Sequence, residues 1–158
     1  MLEGSFFYEK KIMNKARIQN VRLILPEDVI CGGSIDDQKP KGPFDINSIP
    51  KNLMGLDIGP KAIDFFSKTL VESKTILWNG PMGVFEMSNF SKGTSSVAES
   101  VAFSTEKGAF SLIGGGDSAA AVHQLGFSDR VSYISTGGGA LLEFFEGKPL
   151  PGIETIAG

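Results

Sequence analysis

Glycine-rich turns are the segments of this sequence that can do chemistry. Glycine fills 20 of 158 positions, whereas about 7% is usual. Two runs of three glycines, at 114–116 and at 137–139, each follow a predicted apolar strand. Without side-chain bulk, backbone N–H groups can face a ligand, and the helix that follows adds the positive end of its dipole. The two turns predict a phosphate cradle; the alternative is tight packing of strand against helix with no ligand.

Asp117 directly follows the first glycine run. A carboxylate among phosphate-facing amides would repel phosphate unless a cation lay between them. Mg²⁺ is such a cation, since it is held by one or two carboxylates together with phosphate oxygens. The alternative is that Asp117 caps the N-terminus of a helix, and the two roles can coexist.

Other catalytic motifs fit poorly. The sequence contains no G-x-x-x-x-G-K-[ST] loop, which argues against a P-loop enzyme. Residues 114–119 match G-x-G-x-x-A, but the next predicted strand ends at Ser135-Thr136 rather than at the acid that an NAD site requires. His123, the single histidine, lies about 140° around the helix from Ser118, which argues against a hydrolase.

The elements that position these turns alternate between strand and helix. Helices are predicted at 8–20, after Gly59-Pro60, and at 90–104, 117–125 and 137–145. Strands are predicted at 21–25, near 29–30, and at 53–58, 75–78, 109–113 and 131–134, with a loop across 31–50. This order predicts an α/β fold: a parallel sheet with helices on both faces, a Rossmann-like arrangement of three layers.

Length and composition argue against nucleic-acid-binding, membrane-spanning and secreted proteins. The length favours one domain, and the net charge of −3 with a pI near 5.2 argues against nucleic acid as a partner. No apolar run approaches the roughly 20 residues that cross a membrane, and the start lacks the pattern of a secretory leader. With Cys31 as its single cysteine, the chain is expected in the cytoplasm.

Several blocks together resemble the phosphoglycerate kinase family. The most specific is LWNGPMGVFE at 77–86, and the others are GLDIGP at 55–60, IGGGDSA at 113–119, the STGGGA segment at 132–140 and the tail at 142–153. Their order and spacing are those of the family, and the resemblance covers nearly the whole chain.

The resemblance implies a partial protein. Residues 1–158 resemble the later part of the C-terminal, nucleotide-binding domain of a two-domain kinase, so we expect a single incomplete domain. The N-terminal domain that binds 3-phosphoglycerate is expected to be absent, as is a lysine-bearing segment that contacts the nucleotide phosphates. Members are usually monomeric. The isolated chain is therefore expected to be inactive, and a non-catalytic nucleotide-binding or scaffold fragment stays as an alternative.

Matched positions imply roles around ATP or ADP with Mg²⁺. Gly55 and Leu56 would border the adenine, Asn79 and Pro81 would line the nucleotide site, and Glu86 would accept hydrogen bonds from the ribose hydroxyls.

At the phosphate end, the resemblance implies that Asp117 binds the metal ion. It also implies that Ser118, which has a hydroxyl like the threonine commoner in the family, belongs to the nucleotide site. Glycine amides would meet the transferring phosphoryl group. These glycines are Gly114, Gly115 and Gly116 in one turn and Gly137, Gly138 and Gly139 in the other.

Overall fold

The computed structural model describes residues 2–150, 152 and 155. In chain order its elements are α1 (Leu2–Ile18), β1 (Asp28–Gly32), β2 (Lys41–Asp45), β3 (Met54–Ile58), α2 (Pro60–Val71), β4 (Thr75–Asn79), α3 (Lys92–Glu106), β5 (Phe110–Gly114), α4 (Gly116–Gln124), β6 (Tyr133–Ser135) and α5 (Gly138–Phe145). Short 3₁₀ turns lie at Ser88–Phe90 and Ser128–Arg130. The predicted helices are confirmed to within a few residues, apart from the first, which begins earlier than predicted.

A parallel sheet of order β4-β5-β6 forms the base of the site. On one face, Trp78 and Ile113 pack in a buried core with Val101 of α3 and Val122 of α4. On the other face, Leu141 of α5 lies against Gly114. The α/β fold with helices on both sides of a parallel sheet is thereby confirmed. The second face is covered only in part, and the large apolar side chains exposed on it are Leu77, Phe110 and Tyr133.

A second sheet, of order β2-β1-β3, is antiparallel. The predicted strand at 53–58 exists as β3, but its predicted place in the parallel sheet is wrong, because it pairs with β1. The strand predicted near 29–30 is confirmed as β1. The loop prediction across 31–50 is wrong at β2, whose glycine and proline suggest a loop. Proline is tolerated there because β2 is an edge strand.

The apolar run at 21–25 forms no strand, so this prediction is wrong. Val21, Leu23 and Leu25 are about half exposed, and the run has no ladder partner among the described residues. An apolar run becomes a strand only by pairing, because the backbone N–H and C=O groups need partners. The predicted tail block ends at Ile153, outside the described residues. No helix of the described part combines the length and hydropathy needed to span a membrane.

Candidate functional site

The three parallel strands end together at one edge. Asn79, Gly114 and Ser135 lie side by side in register at the last position of their strands. The Gly115 amide donates to the Ser135 carbonyl at 3.1 Å, and the Asn79 side chain lies beside Gly114 and Gly115. The turns after β4, β5 and β6 therefore meet, as expected for the carboxyl ends of parallel strands.

Contact between two glycines brings the N-termini of α4 and α5 together. A Cβ on Gly138 would collide with the backbone of Gly115, so the two turns pack backbone against backbone. Gly115 itself has φ +94°, in the left-handed region that favours glycine. Glycine is required at both positions for these helix ends to approach so closely.

Both helix ends are open to an external acceptor. The N-cap residues are Gly115 for α4 and Gly137 for α5, and neither provides a side-chain hydrogen bond. Asp117 lies exposed in the first turn of α4, so its alternative role as the N-cap is wrong. The first amides of an uncapped helix bind anions, and the helix dipole adds to that attraction.

Gly80 ties the turn after β4 to α4. Its amide donates to the Ser118 hydroxyl at 2.6 Å, and its carbonyl accepts from the Trp78 indole at 2.7 Å. Ser118 is almost completely buried, and its oxygen is already engaged by the protein. The structure thus places Ser118 as a support for the turn that carries Asn79 and Pro81.

An apolar cleft of about 440 Å³ lies between β3 and the turn at 81–84. The two walls are joined by a hydrogen bond from the Val84 amide to the Leu56 carbonyl, at 2.9 Å. Glu86 is exposed two residues beyond Val84. The cleft contains the predicted Gly55, Leu56 and Pro81, together with residues that sequence reasoning missed. Its lining is Pro26, Val29, Ile46, Ile49, Gly55, Leu56, Asp57, Ile58, Pro81, Met82, Gly83 and Val84.

Two buried carboxylates occupy the N-termini of α2 and α3. Asp28 of β1 accepts from the amides of Lys61 and Ala62, at 3.1 and 2.9 Å. Asp57 of β3 accepts from the Gly93 amide at 2.7 Å. Burial raises the pKa of Asp57 to about 6, against the opposing effect of its bonds from the Gly93 and Ile58 amides. Sequence reasoning missed both carboxylates because each cap comes from a strand more than 30 residues away.

At the carboxyl edge of the parallel sheet, the side chains suit a metal ion that takes most of its coordinating oxygens from a bound ligand. No three His, Cys, Asp or Glu side chains within the described residues are grouped so as to hold a metal ion. Asp117 offers one exposed carboxylate at that edge. Mg²⁺ commonly takes one or two carboxylates and fills its other positions with phosphate oxygens and water, so the residues suit Mg²⁺ that arrives with a phosphate ligand.

The fold and the site define a class: an α/β domain with two uncapped helix N-termini at the carboxyl edge of a parallel sheet, beside an apolar cleft. Comparisons identify the family. The family profile described as "Phosphoglycerate kinase" matches residues 5–148, and the chain belongs to this family.

Relatives and solved structures agree with that assignment. The chain is 50% identical to "Phosphoglycerate kinase" of Chlorobaculum tepidum over 145 residues, 92% of this chain and 36% of the relative. It is 53% identical to that of Clostridioides difficile over 150 residues, 94% of this chain and 37% of the relative. The structure of phosphoglycerate kinase from Coxiella burnetii superposes with a TM-score of 0.84 at 41% identity, covering 96% of this chain and 38% of that one. The chain thus spans little more than a third of the length of these proteins.

Proposed function

We propose that the chain is the nucleotide-holding portion of a phosphoglycerate kinase that acts in the cytoplasm, in glycolysis. The reaction breaks the bond between phosphorus and the carboxyl oxygen of 1,3-bisphosphoglycerate. The phosphoryl group passes to the terminal phosphate oxygen of ADP, giving ATP and 3-phosphoglycerate. The contact of Gly138 with Gly115 is the observation that carries the proposal, because it puts two uncapped helix ends at one edge of the sheet.

The chain's own groups would act by position and charge. Phosphoryl transfer asks little covalent chemistry of the protein, and fixed dipoles aimed at the developing charge supply much of the catalysis. Of the predicted glycine amides, that of Gly115 already donates to the Ser135 carbonyl, and Gly114 lies within β5. The amides that would face the phosphates are therefore those of Gly116 and of the glycines at 137–139. Gly55, Leu56 and Pro81 would border the adenine in the apolar cleft, with Asn79 near the phosphates and Glu86 at the ribose.

Asp117 would hold Mg²⁺ at the phosphate end. When bound, the ion would neutralise charge on the phosphate oxygens and fix their orientation. Binding of 3-phosphoglycerate is assigned to the remaining part of the family protein, which lies beyond the matched third.

A second candidate is a nucleotide-binding or scaffold fragment without catalysis. The observation that favours it is the coverage of about 37% of each relative, because a catalytic centre shared with the remaining residues would be incomplete here. Detection of phosphoryl transfer by the chain alone would exclude this candidate.

Calorimetric titration with ADP tests the binding half of the proposal. We expect binding in the presence of Mg²⁺ that weakens when EDTA is added, and no binding of NADH under the same conditions. Folded protein that binds no ADP at all would contradict the proposal.

A complementation assay tests the catalytic half. The chain would be mixed with a fragment of the Clostridioides difficile relative that supplies the remaining residues, and ATP formation followed in a coupled assay. We expect turnover only in the mixture. A stable complex of the two that binds both substrates without turnover would exclude catalysis.

A further inference from the structure

The buried hydroxyl of Thr94 lies where α3 meets the wall of the apolar cleft. Thr94 is completely buried, in the first turn of α3. Its Oγ1 accepts from the amides of Met82 and Gly83, at 3.1 and 3.3 Å. Both of these residues line the cleft. One side-chain oxygen thus holds consecutive amides of the cleft wall.

The opposite wall of the cleft, formed by β3, also bonds to the first turn of α3. Asp57 of β3 accepts from the amide of Gly93, the residue before Thr94, at 2.7 Å. A Cβ on Gly83 or on Gly93 would collide with the Asp57 carboxylate, so all three residues are in close contact. β3, the first turn of α3 and the cleft wall therefore form one connected unit.

We infer that Thr94 is a positioning residue for the nucleotide: it fixes the wall at 82–83 at the spacing from β3 that admits a base. The inference rests on the proposed function, because it assigns the cleft to the adenine. Within the sequence, Thr94 stands as a polar residue among the apolar positions of α3 that face the core. Without the Thr94 oxygen, the partly buried amides of Met82 and Gly83 would lose their acceptor, which favours a shifted wall.

Three variants separate this role from general support of the fold. Thr94→Val keeps the size of the side chain and removes the acceptor. Thr94→Ser keeps the acceptor. Thr105→Val is the matched control, since Thr105 lies on the same helix and its hydroxyl also bonds internally, to the Val101 carbonyl and to Ser111. Calorimetry would measure the affinity of each variant for Mg·ADP, for adenosine and for Mg·pyrophosphate.

We expect Thr94→Val to lower the affinities for Mg·ADP and for adenosine about tenfold each, or ~1.4 kcal/mol. The affinity for Mg·pyrophosphate should stay unchanged. Thr94→Ser and Thr105→Val should bind like the parent chain. Equal losses for all the ligands, or loss in Thr94→Ser as great as in Thr94→Val, would show general structural damage and overturn the inference. Unchanged adenosine binding in Thr94→Val would overturn it as well.

Amide hydrogen exchange keeps the test decisive if Thr94→Val folds poorly. In the parent chain and in Thr94→Ser, the amides of Met82 and Gly83 should be protected, and addition of adenosine should raise that protection. Rapid exchange of both amides in the folded parent chain would overturn the inference. A parent chain that binds Mg·pyrophosphate but neither adenosine nor ADP would contradict the proposed function itself.

Discussion

The helix N-termini of this molecule fall into two kinds. Those of α2 and α3 are closed, because Asp28 and Asp57 reach them from the antiparallel sheet and accept from their amides. Those of α4 and α5 are open, because they begin on glycines that offer no side-chain acceptor. Each kind of end has the same dipole. At the closed ends a carboxylate of the protein supplies the negative charge, and at the open ends we propose that a ligand supplies it.

Under the proposed function, the closed ends stabilise the fold and the open ends bind the ligand. The closed ends join α2 and α3 to β1 and β3, and so fix one wall of the apolar cleft. The open ends lie at the carboxyl edge of β5 and β6. Variants at the two kinds of end should therefore fail in different ways, one set in stability and the other in ligand binding.

Loss of a closed end should give the largest effect. Asp28→Ala leaves the buried amide of Ala62 and the partly buried amide of Lys61 without their acceptor. An unsatisfied buried group costs about 1–3 kcal/mol, so we expect the free energy of unfolding to fall by roughly 2–4 kcal/mol. Urea denaturation would measure it. A change below about 0.5 kcal/mol would mean that the cap contributes nothing.

The other closed end should show in the dependence of stability on pH. The pKa of Asp57 is raised by burial from 3.8 to about 6. Between these values the folded state binds more protons than the unfolded state, so the free energy of unfolding falls as pH rises from about 4 to 6. The size is on the order of 2–3 kcal/mol. Asp57→Asn should remove this contribution, and equal slopes for both proteins in urea melts across that window would contradict it.

The open ends should fail in binding. Gly138→Ala would push the N-terminus of α5 away from Gly115, so we expect Mg·ADP affinity to fall at least about tenfold, ~1.4 kcal/mol. Gly33→Ala is the control, since a methyl group there meets only ordinary contacts. Wild-type affinity in Gly138→Ala would show that the approach of the two turns has no part in binding.

Asp117 should act through the metal ion alone. Asp117→Asn removes the exposed carboxylate from the first turn of α4, so the gain in ADP affinity on adding Mg²⁺ should shrink by roughly tenfold, ~1.4 kcal/mol. Affinity in EDTA should stay the same or rise, because a negative charge near phosphate is lost. An unaltered response to Mg²⁺ in calorimetry would remove Asp117 as a ligand.

Glu86, which we propose contacts the ribose, gives the smallest expected effect. Glu86→Ala should weaken ADP by about 1 kcal/mol through lost hydrogen bonds. Glu72→Ala, which removes an exposed carboxylate at the end of α2, should bind as the parent chain does. Equal ADP affinity in the two variants would refute the ribose role.

The sequence predicts the open ends better than the closed ones. Triple-glycine turns after apolar strands are local patterns, and the structure brings them together. The caps from Asp28 and Asp57 join residues far apart in the chain, so a local pattern carries no sign of them. The strand prediction at 21–25 was wrong for a similar reason, because a strand forms only where another strand lies beside it to pair with. Conversely, β2 is a strand in spite of its Gly42-Pro43 because it pairs with β1.

The most direct measurement is an NMR titration of the labelled chain with Mg·ADP, following backbone amides. We predict large shifts at 116–118 and 137–139, the open ends, and none beyond general broadening at Lys61 and Ala62, whose amides already bond to the Asp28 carboxylate. Shifts confined to other parts of the chain, or equal shifts at the closed and open ends, would contradict the assignment of the glycine turns to phosphate.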